Sequence, residues 1–240
     1  MNHSPSKAVN NAIIAFDEAK VAHAGSMLRL NDISEAISRC TKERDQAQEQ
    51  SKEAETNWRT RFRNLRGEMT EDLRNEHSQR ISQMELAKEF ADLIDDLELD
   101  QKTEILCCAG TAKKLLNAHK HAFVTYAEYQ WSQALKNLSP SLVRGIKLKL
   151  HALSMVTSQE AQSGYYREPE KVVSELIGNK LIDVAKECDF DMEIEPVLEK
   201  IGLYHPSLAG VDMVLMNSPI KQQQLYQELN EVKKQRQQAK

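Results

Sequence analysis

The chain has 240 residues and a formal net charge of −4, with 28% of its residues charged and 5% aromatic. That length allows one large or two small domains, and the acidic balance lacks the basic excess that neutralises many nucleic-acid phosphates. A mean hydropathy of −0.59 with so few aromatics suits a helical protein with much solvated surface better than a compact core.

The amino terminus, Met1 to Lys7, is polar, and no stretch approaches the roughly 18 apolar residues that a membrane span needs. Four cysteines stand at Cys40, Cys107, Cys108 and Cys188 without a Cys-x-x-Cys pair, a pattern expected of a reduced, cytoplasmic compartment.

No proline occurs between Ser6 and Ser139, so long helices are expected there. A first amphipathic segment covers Ser6 to Leu30, with Ile13, Ile14, Phe16, Val21, Met27 and Leu28 as its apolar residues, and Asn31-Asp32 is expected to cap a second helix. In that second helix Ile33, Ile37, Cys40, Ala47, Ala54 and Trp58 follow four-three heptad spacing, interrupted by the polar seam positions Arg44 and Ser51. Such a thin seam needs another helix against it. Gly67 breaks the pattern, and Thr70 with its acidic neighbours is expected to cap the next helix.

The four-three rhythm resumes at Leu73, His77, Arg80, Met84, Ala87, Ala91 and Ile94. Two matched arms around Gly67 predict an antiparallel hairpin, each arm about 45 Å long at ~1.5 Å per residue. Lys102 to Leu138 is richest in large apolar groups, among them Leu115, Phe123, Val124, Tyr126, Trp131 and Leu135, and is expected to form the core helix or helix pair. Ser139-Pro140 starts a further helix whose buried face is expected at Leu142, Val143, Ile146, Leu150 and Leu153.

Ser158 to Pro169 reads as a connection, followed by helix from Glu170 to about Cys188 and another beginning near Pro196. Lys221 to Lys240 reads as a docked helix that frays into a tail. The expected organisation is therefore all-α, with residues 1–100 as amino-terminal helix and coiled-coil hairpin, and residues 101–240 as a helical core and carboxy-terminal region.

Candidate chemistry is sparse. Asp189, Asp191 and Glu193 have the alternation of a calcium loop, but the sixth position is Ile194 instead of glycine and the twelfth is Lys200 instead of glutamate, so a solvated loop is expected. His119 and His121 are two apart and point to different helix faces, and Cys107-Cys108 shares that defect as a metal pair. Gly110-Thr-Ala-Lys-Lys114 lacks the first glycine of a phosphate loop.

In Trp58 to Arg66 two aromatics interleave four arginines, the best local case for a nucleic-acid-binding regulator using Arg59, Arg61, Arg63 and Arg66. Yet Trp58, Phe62, Leu65 and Met69 share one helical face, and a solvated basic face opposite them is the simpler expectation. No catalysis, metal or cofactor is expected, which leaves surfaces that contact other macromolecules.

The run Ile201-Gly-Leu-Tyr-His-Pro-Ser-Leu-Ala-Gly-Val-Asp212, followed by Ser218-Pro219, resembles the end of the polarity suppression (Psu) proteins of satellite phages. Ile33 to Glu68, with Ala36, Cys40 and Arg63-Asn-Leu-Arg-Gly-Glu68, is similar to that family's first long arm and its turn, and Leu138-Ser-Pro-Ser-Leu142 also has a counterpart. The resemblance covers about two thirds of the chain. It implies an all-α intertwined homodimer that antagonises the hexameric bacterial termination factor Rho without catalysis, and that also decorates the phage capsid through the major capsid protein.

In the family the carboxy-terminal region carries the Rho contacts, so the resemblance places partner binding at Tyr204, His205, Pro206, Asp212, Asn217 and Pro219. Met213 to Asn217 departs from the charged and aromatic residues of the family there. An alternative use of the same scaffold is a capsid decoration or capsid-size protein without Rho activity.

Overall fold

The computed structural model describes residues 6–155, 166–192 and 194–238. Among these residues seven helices follow in order: α1 (Lys7–Asn64), α2 (Glu71–Lys136), α3 (Pro140–Ser154), α4 (Pro169–Lys186), α5 (Pro196–Ile201), α6 (Met213–Asn217) and α7 (Pro219–Gln238). No strand occurs among the described residues, so the expected all-α class and the long hairpin are both present. Prolines open α3, α4, α5 and α7, at the helix position where a missing N–H costs nothing.

The chain divides into two units, one comprising residues 1–16 and 119–205 and the other residues 17–118 and 206–240. In the second unit α1 and α2 run antiparallel, with partners descending on one helix as they climb on the other. Arg29 donates to Glu104, Gln101 to the Ser34 hydroxyl, and the Ser51 hydroxyl to the Arg80 carbonyl. The seam is the least exposed line of each helix, with Ala47, Leu73, Ala87 and Ile94 buried on it. Met84 is the exception and stands exposed.

The turn of the hairpin sits where Gly67 predicts it, but its geometry uses two residues. Arg66 (φ 54°) and Gly67 (φ 89°) are both left-handed. Gly67 N–H bonds the Phe62 carbonyl at 3.0 Å and Arg66 N–H bonds the Arg63 carbonyl at 3.0 Å, the pairing that closes a helix end in a Schellman motif. Arginine in that conformation carries a steric cost of ~1 kcal/mol or more, so Arg66→Gly is expected to stabilise the hairpin by about 0.5–1 kcal/mol, read as a higher urea midpoint with an unchanged slope. Thr70 then caps α2 by accepting from Leu73 N–H at 3.4 Å.

Several expectations change. Asn31-Asp32 does not interrupt the chain; α1 is one continuous helix through it. Both residues are exposed, where their weak helix propensity costs only tenths of a kcal/mol each, and the contacts of Arg29 and Ser34 on either side hold the segment to α2. Ile14, Val21 and Leu28 are exposed instead of buried, as are Val124, Trp131 and Leu135 near the end of α2. Of the adjacent cysteines, Cys108 is buried and Cys107 exposed. Helix α3, which packs against α4, has no buried residue. Residues 158–165 of the expected connection, Glu193 of the acidic loop and residues 239–240 of the expected tail lie outside the described residues.

A small cluster in the second unit seats the carboxy-terminal helices. Ala109 and Ala112 of α2 are fully buried against Leu215 and Met216 of α6, with Leu106, Leu208, Val211 and Leu225 around them. Two alanines one turn apart leave a shallow groove on α2, and the larger side chains of the short helix fill it. Farther along α7, Leu229 is buried and Arg236 pairs with Asp96.

Candidate partner-binding site

The run singled out by resemblance divides between the units. Ile201 to His205 belongs to the first, where Ile201 ends α5 as a buried residue and Gly202 turns the chain away at φ 82°, a conformation that glycine adopts without a Cβ penalty. The Gly202 carbonyl meets Nε2 of His119 at 3.4 Å. His119 is buried, with Phe16 edge-on at 5.6 Å and the ring of His205 at 5.5 Å. Tyr126 is also buried, and its hydroxyl donates to Glu195 and accepts from Gln130 at 2.7 Å. Burial, helped by the hydrogen bond to Glu195, raises the Tyr126 pKa above its ordinary value, so the hydroxyl keeps the proton that ties the entry of α5 to α2.

Out of this anchored segment Tyr204 projects with 86% of its surface exposed. His205 is exposed as well. The remaining residues of the run belong to the second unit. Pro206 is half-buried. Asp212 caps α6 by accepting from the N–H groups of Val214 and Leu215, both at 2.9 Å, which accounts for an aspartate there on structural grounds. Asn217 spends an amide hydrogen on the Met213 carbonyl at 2.9 Å, and Pro219 opens α7. Tyr204 thus stands freest, while Asp212, Asn217 and Pro219 also have local structural duties.

At the hairpin tip, Trp58 stacks on Phe62 at 5.2 Å, faces His77 at 5.1 Å and is covered by the Arg80 guanidinium at 5.6 Å. Its ring is therefore occupied by neighbours and not presented for base stacking. Arg59 pairs with Glu55 and Arg61 with Glu76, which leaves Arg63 and Arg66 as the two arginines of the run without a carboxylate partner among the described residues.

One buried polar group in the hairpin, a histidine, escaped sequence reasoning. His23 is buried and its Nδ1 lies 3.1 Å from the Thr111 hydroxyl, which itself donates to the Cys107 and Cys108 carbonyls; the ring is therefore the donor to Thr111. Burial lowers its pKa below the ordinary 6.5. As pH falls through that value the unfolded chain takes a proton that the folded one refuses, so stability present above about pH 6.5 is lost on acidification. Urea midpoints at pH 7.5 and pH 5 are expected to differ for the native chain and to differ less for His23→Asn. Cys108, also buried, has its thiol pushed up to about 11, by burial first and Glu104 second, and stays protonated at neutral pH.

Among the described residues no group of three histidine, cysteine or acidic side chains converges as a metal site, and no helix is long and apolar enough to cross a membrane. What the geometry defines is an all-α protein built on a long antiparallel hairpin, with exposed apolar residues on its long and short helices alike.

No protein-family model matches the chain. It is 25% identical over 218 residues to Glycoprotein 3 of Enterobacteria phage P4, an alignment that spans 91% of this chain and 89% of that protein. A solved chain of the satellite phage P4 procapsid including size determination (Sid) protein superposes with a TM-score of 0.81, at 24% identity, over 96% of this chain and 98% of that one. The protein is thus related along nearly its whole length to a phage P4 protein, and its fold is one found in the P4 procapsid structure.

Proposed function

We propose that this is a satellite-phage protein that binds the major capsid protein of a phage shell and sets the size of that shell, acting as a structural clamp without catalysis or cofactor. The observation that carries this reading is the near full-length relation to P4 Glycoprotein 3, joined to a fold shared with a chain of the P4 procapsid that includes the size determination protein. The physical character of the chain agrees with it. Helix α2 has 66 residues and is about 100 Å long at ~1.5 Å per residue, long enough to touch more than one subunit of a shell. The protein would work in the host cytoplasm, on assembling particles, and as more than one copy.

The test is co-expression with the helper phage's major capsid protein and its scaffold. Particles of uniformly smaller diameter, with this chain sedimenting with them, are the expected result; particles of unchanged size, with the chain left at the top of the gradient, would overturn it.

Rho antagonism is a second reading, supported by the sequence run from Ile201 to Pro219 and by the exposure of Tyr204 within it. It makes a separate demand: readthrough of a Rho-dependent terminator should rise when the chain is expressed, and Pro206→Leu should weaken that rise without loss of helical content. Strong readthrough with no effect on particle size would replace the capsid reading by this one. Unchanged readthrough in the Pro206 variant would remove that residue from the contact.

A further inference from the structure

Helices α3 and α4 form a pair with an open apolar dent on one flank. They run antiparallel: Ser141 to Lys149 face Val173 to Ile177, and Lys147 to Ser154 face Glu168 to Glu170. Ile146, Leu150 and Leu153 make the half-buried line of α3. Round the helix from that line, Ser141, Gly145, Leu148 and Ala152 follow four-three-four spacing and form a second face. No described residue covers this face: Leu148 is 59% exposed, and a Cβ added to Gly145 would meet no atom within 4 Å.

Beside Gly145 the two helices leave a dent of about 440 Å³, walled by Leu142, Ile146, Val173, Leu176 and Ile177, with Lys149 as its one charged group. The volume lies in the range of pockets that hold apolar groups. Leu176 on its α4 wall is 55% exposed, so the apolar surface continues outward from the dent.

The charges on this flank have one sign. Helix α3 carries Arg144, Lys147 and Lys149 and no carboxylate, in a chain whose net charge is −4. None of the three cations has a carboxylate partner among the described residues. At about 100° per residue, Arg144 and Lys149 stand on opposite sides of Gly145, so a segment laid over the glycine passes between two cations. Lys147 and His151 lie on the other flank of the pair, beside Glu168 and Glu170; the charge there is mixed and selects neither sign.

Small residues at Ser141, Gly145 and Ala152 let another helix come close along α3, and the four-three spacing receives side chains at the matching interval. A nucleic-acid backbone would use the two cations and leave the apolar walls empty. We infer that this flank of α3 and α4 is the docking site for an acidic amphipathic helix of a partner protein, whose apolar side chains fill the dent beside Gly145 and whose carboxylates meet Arg144 and Lys149. The inference rests on these two helices and does not depend on the capsid or the Rho reading.

The test is fluorescence polarisation of the full chain with a labelled peptide of about 18 residues, long enough to hold helical form, with leucines at four-three spacing and glutamates elsewhere. Saturable binding is expected. Lys149→Glu should weaken it roughly tenfold, through lost attraction and new repulsion. Gly145→Phe, which places a ring in the dent, should weaken it at least as much, with an unchanged circular dichroism spectrum, since the added side chain meets open space. Lys171→Glu, an equal charge change at an exposed position of α4 outside the dent, should bind as the native chain does. A native chain that does not bind the peptide, or a Gly145→Phe chain that binds it as tightly as the native one, would overturn the site. Equal binding of a peptide with serines in place of the leucines, or displacement of the acidic peptide by an equal concentration of single-stranded oligothymidylate, would overturn it in favour of a general anion-binding face.

Discussion

Leu73→Ala is expected to remove about 2–5 kcal/mol of stability, the range for truncating a fully buried leucine where the surroundings collapse only in part. Leu73 is 0% exposed and stands in the first turn of α2, just past the turn of the hairpin. Thermal or urea unfolding followed at 222 nm reads the effect. Leu93→Ala, at an exposed position of the same helix, should change stability by no more than about 0.5 kcal/mol. Equal losses in the two variants would mean that the seam does not carry the hairpin.

Ala112→Glu is expected to free the carboxy-terminal helices while leaving the hairpin folded. Ala112 is fully buried beside Ala109, Leu215 and Met216, and the groove it lines exists because its side chain stops at Cβ. A glutamate there both overfills the groove and buries an uncompensated charge, at a cost of about 3–5 kcal/mol. Helix α6 has five residues, too few to hold helical form without a surface to lie on. Limited proteolysis is therefore expected to cut the variant between Pro206 and Pro219 while the native chain resists. Lys113→Glu, one residue on at an exposed position, should resist as the native chain does. Protection of the Ala112 variant would show that α6 is held by something other than this cluster.

Much of the fold was legible in the sequence because its signals are local and periodic. The proline-free span, the four-three seams before and after Gly67, and the prolines that open helices all act through backbone geometry within a turn or two. The misreadings arose where a local signal competes with packing. Asn31-Asp32 has the composition of a cap, yet contacts of Arg29 with Glu104 and of Ser34 with Gln101 carry α1 straight through. Met84 has a seam spacing but stands exposed. Apolar spacing likewise names Ile14, Val21 and Leu28 as a helix face without saying whether anything covers them.

The candidate site was legible to a smaller extent. Residue identities marked the run from Tyr204 to Pro219, but the double duty of Asp212 and Asn217 depends on where the neighbouring N–H and carbonyl groups lie. The burial of His23 and His119 depends on residues nearly ninety positions away, a separation that no periodic pattern spans.

The sequence by itself determined the class, the antiparallel hairpin and the position of its turn, since helix periodicity and the left-handed freedom of glycine are properties of short segments. Only the tertiary structure decided which apolar stripes are covered, which polar groups are buried and where the short carboxy-terminal helices seat, because burial is settled by which distant segments meet.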